Sequence, residues 1–188
     1  MKFAGVLLGF FVVAAEAGEI FVNGNFKCDA QGQAMLWNMG SAAREARRDV
    51  RTGVKSSPDG KNILLLESNS EKEAAVHSLR PVRVRKGDTI TLTFQARGKG
   101  TLRAGLYCYS GGSKTPYTGP VSVPRTELTP EWQERKAELT VSDLQNAPTE
   151  EVRVFFAVCP GGSAEIRKRK PGQTLRLLNL LRRKRIRE

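Results

Sequence analysis

The chain has 188 residues, a formal net charge of +12 and three cysteines, a length that suits one domain with its own hydrophobic core. Ten basic residues and one acidic residue from Arg167 onward give a net +9, which leaves +3 for everything before them. A uniformly basic nucleic-acid-binding domain is therefore excluded, and so is a histidine-rich metal site, because His77 is the sole histidine.

The N-terminus has the three parts of a secretory signal peptide. Lys2 precedes twelve apolar residues, 4–15, and the triplet 15–17 (Ala-Glu-Ala) offers a cleavage site before Gly18. The apolar run is shorter than the roughly twenty residues that span a bilayer, although a buried helix or a retained anchor is the alternative. We therefore predict a signal peptide over residues 1–17, a secreted, periplasmic or cell-surface location, and no transmembrane segment after cleavage.

Short strand-like runs, most of them alternating apolar and polar residues and the first one continuously apolar, occupy the region after the signal peptide and are separated by turn residues. In chain order they are 63–67, 76–84, 89–95, 102–109, 137–141 and 152–158. Alternation with a period of two places one side of each strand in a core and the other toward solvent or ligand. The pattern predicts an all-β fold, a two-sheet antiparallel β-sandwich over residues 18–166, followed by a basic tail, 167–188.

The three cysteines are Cys28, Cys108 and Cys159. An oxidising destination would permit one disulfide and leave one thiol over. We favour a bond between Cys108 and Cys159, because each stands at the end of a strand-like run. Three buried thiols are the alternative, and the sequence leaves the pairing open.

Four segments carry a family resemblance through their order and spacing. They are 22–26 (VNGNF), 86–98 (KGDTITLTFQARG), 128–133 (LTPEWQ) and 152–162 (VRVFFAVCPGG). In this order they resemble landmarks of the carbohydrate-binding modules of families 4, 9 and 22, which have galactose-binding-domain-like jelly rolls. The resemblance covers nearly all of residues 20–166. It implies a jelly roll first and, second, a non-catalytic module whose partner is a polysaccharide or another glycan.

The chain departs from this family at a position connected with metal binding. Such modules often hold a structural calcium with acidic residues in the last strand and just after the first strand. Arg167 and Lys168 stand at the former place here, and Lys27 at the latter. Calcium requires several oxygen ligands, carboxylates among them. We therefore expect no calcium site and no other cofactor.

A sugar-binding surface combines aromatic faces with a few polar groups. Six residues are candidates on the non-core sides of the predicted strands or in the loop 111–120: Gln95, Arg103, Tyr107, Tyr109, Tyr117 and Phe155. We expect Gln95 to share one face with Arg103 and the first two tyrosines. The alternatives are that these tyrosines are ordinary half-exposed strand residues and that Tyr117 covers the core.

Catalytic patterns are weak by comparison. A nucleophile–histidine pair would depend on His77, and no nucleophile-elbow sequence is present. Glu131, Glu134 and Glu138 could supply the paired carboxylates of a glycoside hydrolase, but nothing in the sequence joins two of them in a pocket. We therefore predict no enzymatic activity, with a small glycoside hydrolase accessory protein as the minor alternative.

The tail, residues 167–188, mixes leucines with basic residues. A short amphipathic helix of this kind would contact an anionic surface, and a structural or adhesive cell-envelope sandwich is the main alternative function. No recognition motif for a specific nucleic acid is present. A shift of reading frame near Arg167 is another explanation of the tail, which the DNA sequence would decide.

Overall fold

The computed structural model describes residues 25–35, 37–39, 49–110, 121–122, 125–143, 147–168 and 177–178. These ranges contain strands and turns, and none of them forms a helix that could cross a membrane. The predicted signal peptide, Tyr117 and most of the basic tail lie outside the described residues.

Thirteen strands are present in the described part of the chain. They are β1 (Trp37–Met39), β2 (Val50–Ser56), β3 (Asn62–Ser68), β4 (Ala74–Ser78), β5 (Val82–Arg83), β6 (Thr89–Lys99), β7 (Thr101–Tyr109), β8 (Val121–Ser122), β9 (Thr126–Glu127), β10 (Gln133–Thr140), β11 (Glu151–Val158), β12 (Ser163–Arg167) and β13 (Leu177–Leu178). All six strand runs predicted from the alternation coincide with strands of the structure, except that 76–84 is divided into β4 and β5.

The strands form two antiparallel sheets. The seven-stranded sheet has the order β1-β4-β11-β7-β8, with β5 also paired to β11 and β9 to β7. The six-stranded sheet has the order β10-β6-β12-β3-β2, with β13 also paired to β6. The prediction of an all-β, two-sheet antiparallel sandwich is confirmed.

The core lies between the two sheets and is filled by one side of each long strand. Leu92 and Phe94 of β6 face Leu106 of β7 and Phe156 of β11, with Leu64 and Leu66 among the fully buried contributions of β3. Burying each such side chain stabilises the fold by about 1.5–3 kcal/mol. The residues between them in sequence point to the two outer faces.

The passage from β6 to β7 takes the chain from one sheet to the other. Gly100, with φ +82°, is the single residue between the two strands. Gly98, with φ +149°, lies against β12 so closely that a Cβ there would be 2.0 Å from the carbonyl oxygen of Ser163. Only glycine fits such a contact. Consecutive strands that resemble a hairpin in sequence are therefore the corner of the sandwich.

The predicted disulfide between Cys108 and Cys159 is wrong. Cys108 lies opposite Val152 in the register of β7 and β11, whereas Cys159 follows Val158, which lies opposite Leu102. Seven residues along a strand correspond to about 23 Å, and none of the three cysteines forms a disulfide in the structure. Because neighbouring antiparallel strands end at opposite edges, two cysteines at their C-terminal ends lie far apart.

Candidate functional site

Alternate residues of β4, β7 and β11 cover the outer side of the seven-stranded sheet with aromatic and cationic groups. We call this surface the aromatic face and define it by six residues: His77, Arg103, Tyr107, Tyr109, Arg153 and Phe155. Antiparallel register brings them together, because Phe155 lies opposite both His77 and Gly105, and Arg153 lies opposite Tyr107.

Phe155 and Tyr107 form the centre of the aromatic face. Their ring centroids are 4.6 Å apart with an interplanar angle of 22°, a stacked pair. The His77 ring meets Tyr107 edge-on, 5.8 Å between centroids at 78°. Phe155 is 0% exposed, whereas Tyr107 is partly exposed. Tyr107 is thus an accessible ring on a buried support, and an aromatic pair of this kind adds about 0.5–1.5 kcal/mol beyond its buried area.

Arg103 is held at one end of the aromatic face by a carboxylate. Its Nη2 donates to Glu73 Oε2 at 3.1 Å, and its guanidinium carbon is 5.8 Å from the centre of the Phe155 ring. Its Nε is buried and has no hydrogen-bond acceptor. The cation is therefore compensated by Glu73 and fixed beside the aromatic pair.

Arg153 lies at the other end, over a tyrosine. Its guanidinium carbon is 5.0 Å from the centre of the Tyr109 ring, within the range of a cation–π contact. The stack orients both side chains, since each restricts the other's rotation. Both Arg153 and Tyr109 are partly exposed.

Four of the six residues predicted for a sugar-binding surface lie on this face: Arg103, Tyr107, Tyr109 and Phe155. Phe155 is buried under Tyr107, so its position supports the surface instead of forming it. Tyr117 lies outside the described residues. The expectation that Gln95 shares the face is wrong, because β6 belongs to the other sheet, where Gln95 Oε1 accepts a hydrogen bond from Arg167 Nε at 2.9 Å.

Sequence reasoning did not assign His77, Glu73 or Asn38 to this surface. Asn38 of β1 lies opposite His77 of β4 and shares its side of the sheet. The pairing of β4 with β11, which brings His77 to this face, has no signal in the sequence. Glu73 precedes its strand and is recognisable only from its contact with Arg103.

The outer face of the six-stranded sheet carries a second aromatic–cation cluster, which we call the Trp132 cluster: Lys55, Arg97, Trp132, Glu165 and Arg167. The guanidinium carbons of Arg97 and Arg167 are 4.8 Å and 4.1 Å from the centre of a Trp132 ring. Arg97 donates to Glu165 Oε2 from Nε at 2.9 Å and from Nη2 at 2.8 Å, and Lys55 Nζ is 2.5 Å from Glu165 Oε1.

Each cation of the Trp132 cluster has a carboxylate within 4.0 Å. Partial burial would by itself raise the pKa of Glu165, but the hydrogen bonds and charges of Lys55 and Arg97 outweigh it and lower that pKa below its ordinary value. Arg167 Nη1 lies 3.9 Å from Asp59 Oδ2. Arg167 also occupies the position where the family resemblance would place a calcium-binding acid, and a cation engaged in this way does not fit a calcium site.

An open cleft of about 470 Å³ lies at the edge of the sandwich, where β10 of one sheet approaches β7 and β9 of the other. Glu134 and Glu138, two of the acids considered for catalysis, line it. They are four residues apart on β10, which separates their backbones by about 13 Å. Paired glycosidase carboxylates are about 5–9.5 Å apart, and Glu138 is already paired with Lys136 at 2.5 Å. This cleft gives no support to a hydrolase mechanism.

Comparison with known proteins identifies the architecture. No protein-family model and no curated protein matches the chain. TmCBM61, solved in complex with β-1,4-galactotriose, is 14% identical with a TM-score of 0.50, over 81% of this chain and 96% of that one. The enzymatically active domain of bacteriophage CBA120 tailspike protein 4 is 12% identical with a TM-score of 0.50, over 78% of this chain and 21% of that one.

A third similar structure is the CBM22-2 xylan-binding domain from Paenibacillus barcinonensis Xyn10C. It is 14% identical with a TM-score of 0.49, over 73% of this chain and 91% of that one. At such identities the likeness concerns the fold. The chain is a β-sandwich whose fold is similar to that of TmCBM61, and the jelly roll that the sequence resemblance implied is confirmed.

Proposed function

We propose that this chain is an exported, non-catalytic glycan-binding protein, and that it holds a polysaccharide on the aromatic face. The observation that carries the proposal is the accessible Tyr107 ring, stacked at 4.6 Å on the buried Phe155. Tyr109 supplies a second ring, oriented by Arg153. Arg103 and Asn38 offer hydrogen-bond donors to sugar hydroxyls beside these rings.

The energetics of such a surface suit a sugar ligand. Two rings that each bury about 80 Å² against a pyranose would contribute about 2 kcal/mol apiece, at about 25 cal/mol per Å². Ordering of the chain and the ligand offsets part of this gain. A dissociation constant between millimolar and micromolar follows, which is adequate for a polymer with many equivalent sites.

Export is part of the same proposal. It is supported by the sequence alone, through Lys2, the apolar residues 4–15 and the cleavage triplet 15–17. A secreted, periplasmic or cell-surface protein would meet polysaccharides directly. Absence of catalysis is likewise proposed, and incubation with chromogenic glycosides tests it, since turnover above a buffer control would overturn it.

Retention on polysaccharide affinity gels tests the binding proposal. The wild-type protein should be retarded by at least one polysaccharide, and Tyr107→Ala/Tyr109→Ala should lose the retardation because both rings are removed. Tyr107→Phe/Tyr109→Phe, which keeps the rings, should retain most of it. Wild-type protein that no polysaccharide retards, or retardation indifferent to the alanine substitutions, would sink the proposal, provided that thermal denaturation shows each variant to be folded.

A structural or adhesive role in the cell envelope is the competing proposal, favoured by the charge of the tail. Neutralising the five basic residues of 182–187 with glutamine should abolish attachment to anionic envelope material if this role is correct. Glycan retention should then be unchanged, because the substitutions lie outside the aromatic face. Loss of attachment with intact retention would assign the two roles to separate regions of one protein.

A further inference from the structure

The aromatic face contains an arginine, Arg153, that lacks an ion-pair partner in the described structure. Arg153 makes no ion pair with any described residue, and its Nε is buried without an acceptor. Its guanidinium contacts the ring of Tyr109, which is uncharged. Arginine stays protonated at every physiological pH, so this charge is permanent.

Two other arginines of the outer faces form ion pairs with carboxylates. Arg103 has Glu73 at 3.1 Å, and Arg97 has Glu165 at 2.8 Å. Glu151 lies two residues from Arg153 on β11 and faces the same side, yet within the described structure it forms no ion pair with it. A carboxylate beside a cation weakens its attraction for a ligand anion, and among the described residues Arg153 has no such partner.

Arg153 lies close enough to both tyrosines for its charge to act on a ligand that is bound there. It lies directly opposite Tyr107 in the register of β7 and β11, and it stacks on Tyr109. Directly opposite residues have Cβ atoms about 4.5–5.5 Å apart. A sugar ring stacked on either tyrosine would therefore place its substituents within reach of this guanidinium.

We propose that the preferred ligand is an acidic polysaccharide, and that Arg153 determines this preference by binding an anionic group of the sugar, a carboxylate or a sulfate ester. The inference rests on the proposed glycan binding and names its ligand class. The planar guanidinium fits two oxygens of such a group at once, and hydrogen bonds between charged partners are roughly twice as strong as neutral ones.

The number of unpaired cations also limits the charge density of the ligand that the aromatic face can bind. A nucleic acid or another dense polyanion is usually held by a row of basic residues that releases several counterions. The aromatic face offers one uncompensated arginine among its described residues, beside aromatic rings. A single charge contact added to ring stacking fits a polymer with one anionic group per sugar, and it predicts only a modest loss of affinity with added salt.

Polyuronates and their methyl esters provide a matched test, because esterification removes the charge while the backbone and linkage stay the same. Galacturonan, glucuronan and mannuronan, each as acid and ester, and a sulfated galactan would be presented to wild-type protein, Arg153→Gln and Arg153→Lys. We expect the wild type to bind one acid form about tenfold or more tightly than its ester. Arg153→Gln should remove that difference, and Arg153→Lys should keep part of it.

Lys136→Gln is the matched control, since it also removes one positive charge but lies on β10 of the other sheet, and it should keep the full preference. Preference for the sulfated galactan alone would identify a sulfate as the anionic group, and preference for an acid form would identify a carboxylate. Equal binding of acid and ester by the wild type together with no preference for the sulfated galactan, or an equal loss of acid and ester binding in Arg153→Gln, overturns the inference while the proposed glycan binding stands. Failure to bind any polysaccharide, neutral or acidic, overturns both.

Discussion

The two outer faces of the sandwich use the same kinds of side chain for different purposes. Both place arginines against aromatic rings. In the Trp132 cluster the guanidiniums of Arg97 and Arg167 contact the tryptophan, and each also lies within 4.0 Å of a carboxylate, Glu165 or Asp59. On the aromatic face Tyr107 and Tyr109 remain partly exposed, and Arg153 forms no ion pair with the part of the chain that the structure describes. Cations that each lie beside a carboxylate are typical of a stabilising cluster, whereas a cation without such a partner beside accessible rings favours a binding surface.

The largest effect on stability is expected at the corner where the chain passes from one sheet to the other. Gly98→Ala would place a Cβ against the backbone of Ser163, so we expect a loss of about 4 kcal/mol in the free energy of unfolding. Urea denaturation measures it. Gly60→Ala is the control, because Gly60 has φ +73° but nothing within 4 Å of the added atom, and it should cost about 1 kcal/mol. Equal losses in the two variants would contradict the close contact at the corner.

The aromatic face should depend on its buried support. Phe155→Ala is expected to lower the free energy of unfolding by about 3 kcal/mol, because it opens a cavity under Tyr107. Phe155→Leu keeps most of the volume and should cost about 1.5 kcal/mol or less. Glycan retention should fall with Phe155→Ala more than with Phe155→Leu. Unchanged retention in a folded Phe155→Ala protein would show that Tyr107 does not need this support.

Trp132→Ala separates the two faces most directly. Removing the ring eliminates two cation–π contacts at partly exposed positions, worth about 0.5–1 kcal/mol each, so stability should fall by about 1–2 kcal/mol. Glycan affinity should be unchanged, since the ring lies on the opposite sheet. Tyr109→Ala should have the reverse profile, with a smaller loss of stability and a clear loss of affinity. Reduced affinity in Trp132→Ala would move the binding surface to the six-stranded sheet.

The smallest expected effect is a loss of stability at acidic pH. The pKa of Glu165 in the fold lies below its ordinary value of 4.5, so its ion pairs stabilise the protein fully above pH 4.5. That contribution is lost as the pH falls through the lower, folded pKa. The pairs are partly exposed, which limits the effect to less than about 1 kcal/mol. Glu165→Gln should flatten this part of the stability–pH curve in thermal melts. An unaltered curve would show that other acids determine it.

Alternation in the sequence predicted strands and their inner sides, but not the sheet to which each strand belongs. The predicted runs 89–95 and 102–109 follow one another in the sequence, and Gln95 and Arg103 were expected on one surface. The turn glycines instead lead the chain across the corner, and the two residues point to opposite outer faces. A period of two distinguishes the sides of a strand and carries no information about its partners.

The positions of Phe155 and Arg153 illustrate the same limit of prediction from alternation. The alternation in β11 correctly predicted that both side chains lie on the side opposite Val154 and Phe156, which face the core. Burial of Phe155 results from the ring of Tyr107 and the neighbouring strand β4, which is about eighty residues away in sequence. Likewise, the lack of an ion pair between Arg153 and any described residue is a property of the assembled surface, because acids are frequent along the chain.

The course of the chain after β12 determines how the molecule is best attached to a support. Arg167 ends β12 in the six-stranded sheet, and Leu177–Leu178 pair with β6 of that sheet. A linker joined to the chain after Leu178 would therefore start on the side of the sandwich opposite the aromatic face. Immobilisation through such a linker would leave Tyr107, Tyr109 and Arg153 directed toward the solution, which is the orientation required to measure long polymers on a sensor surface.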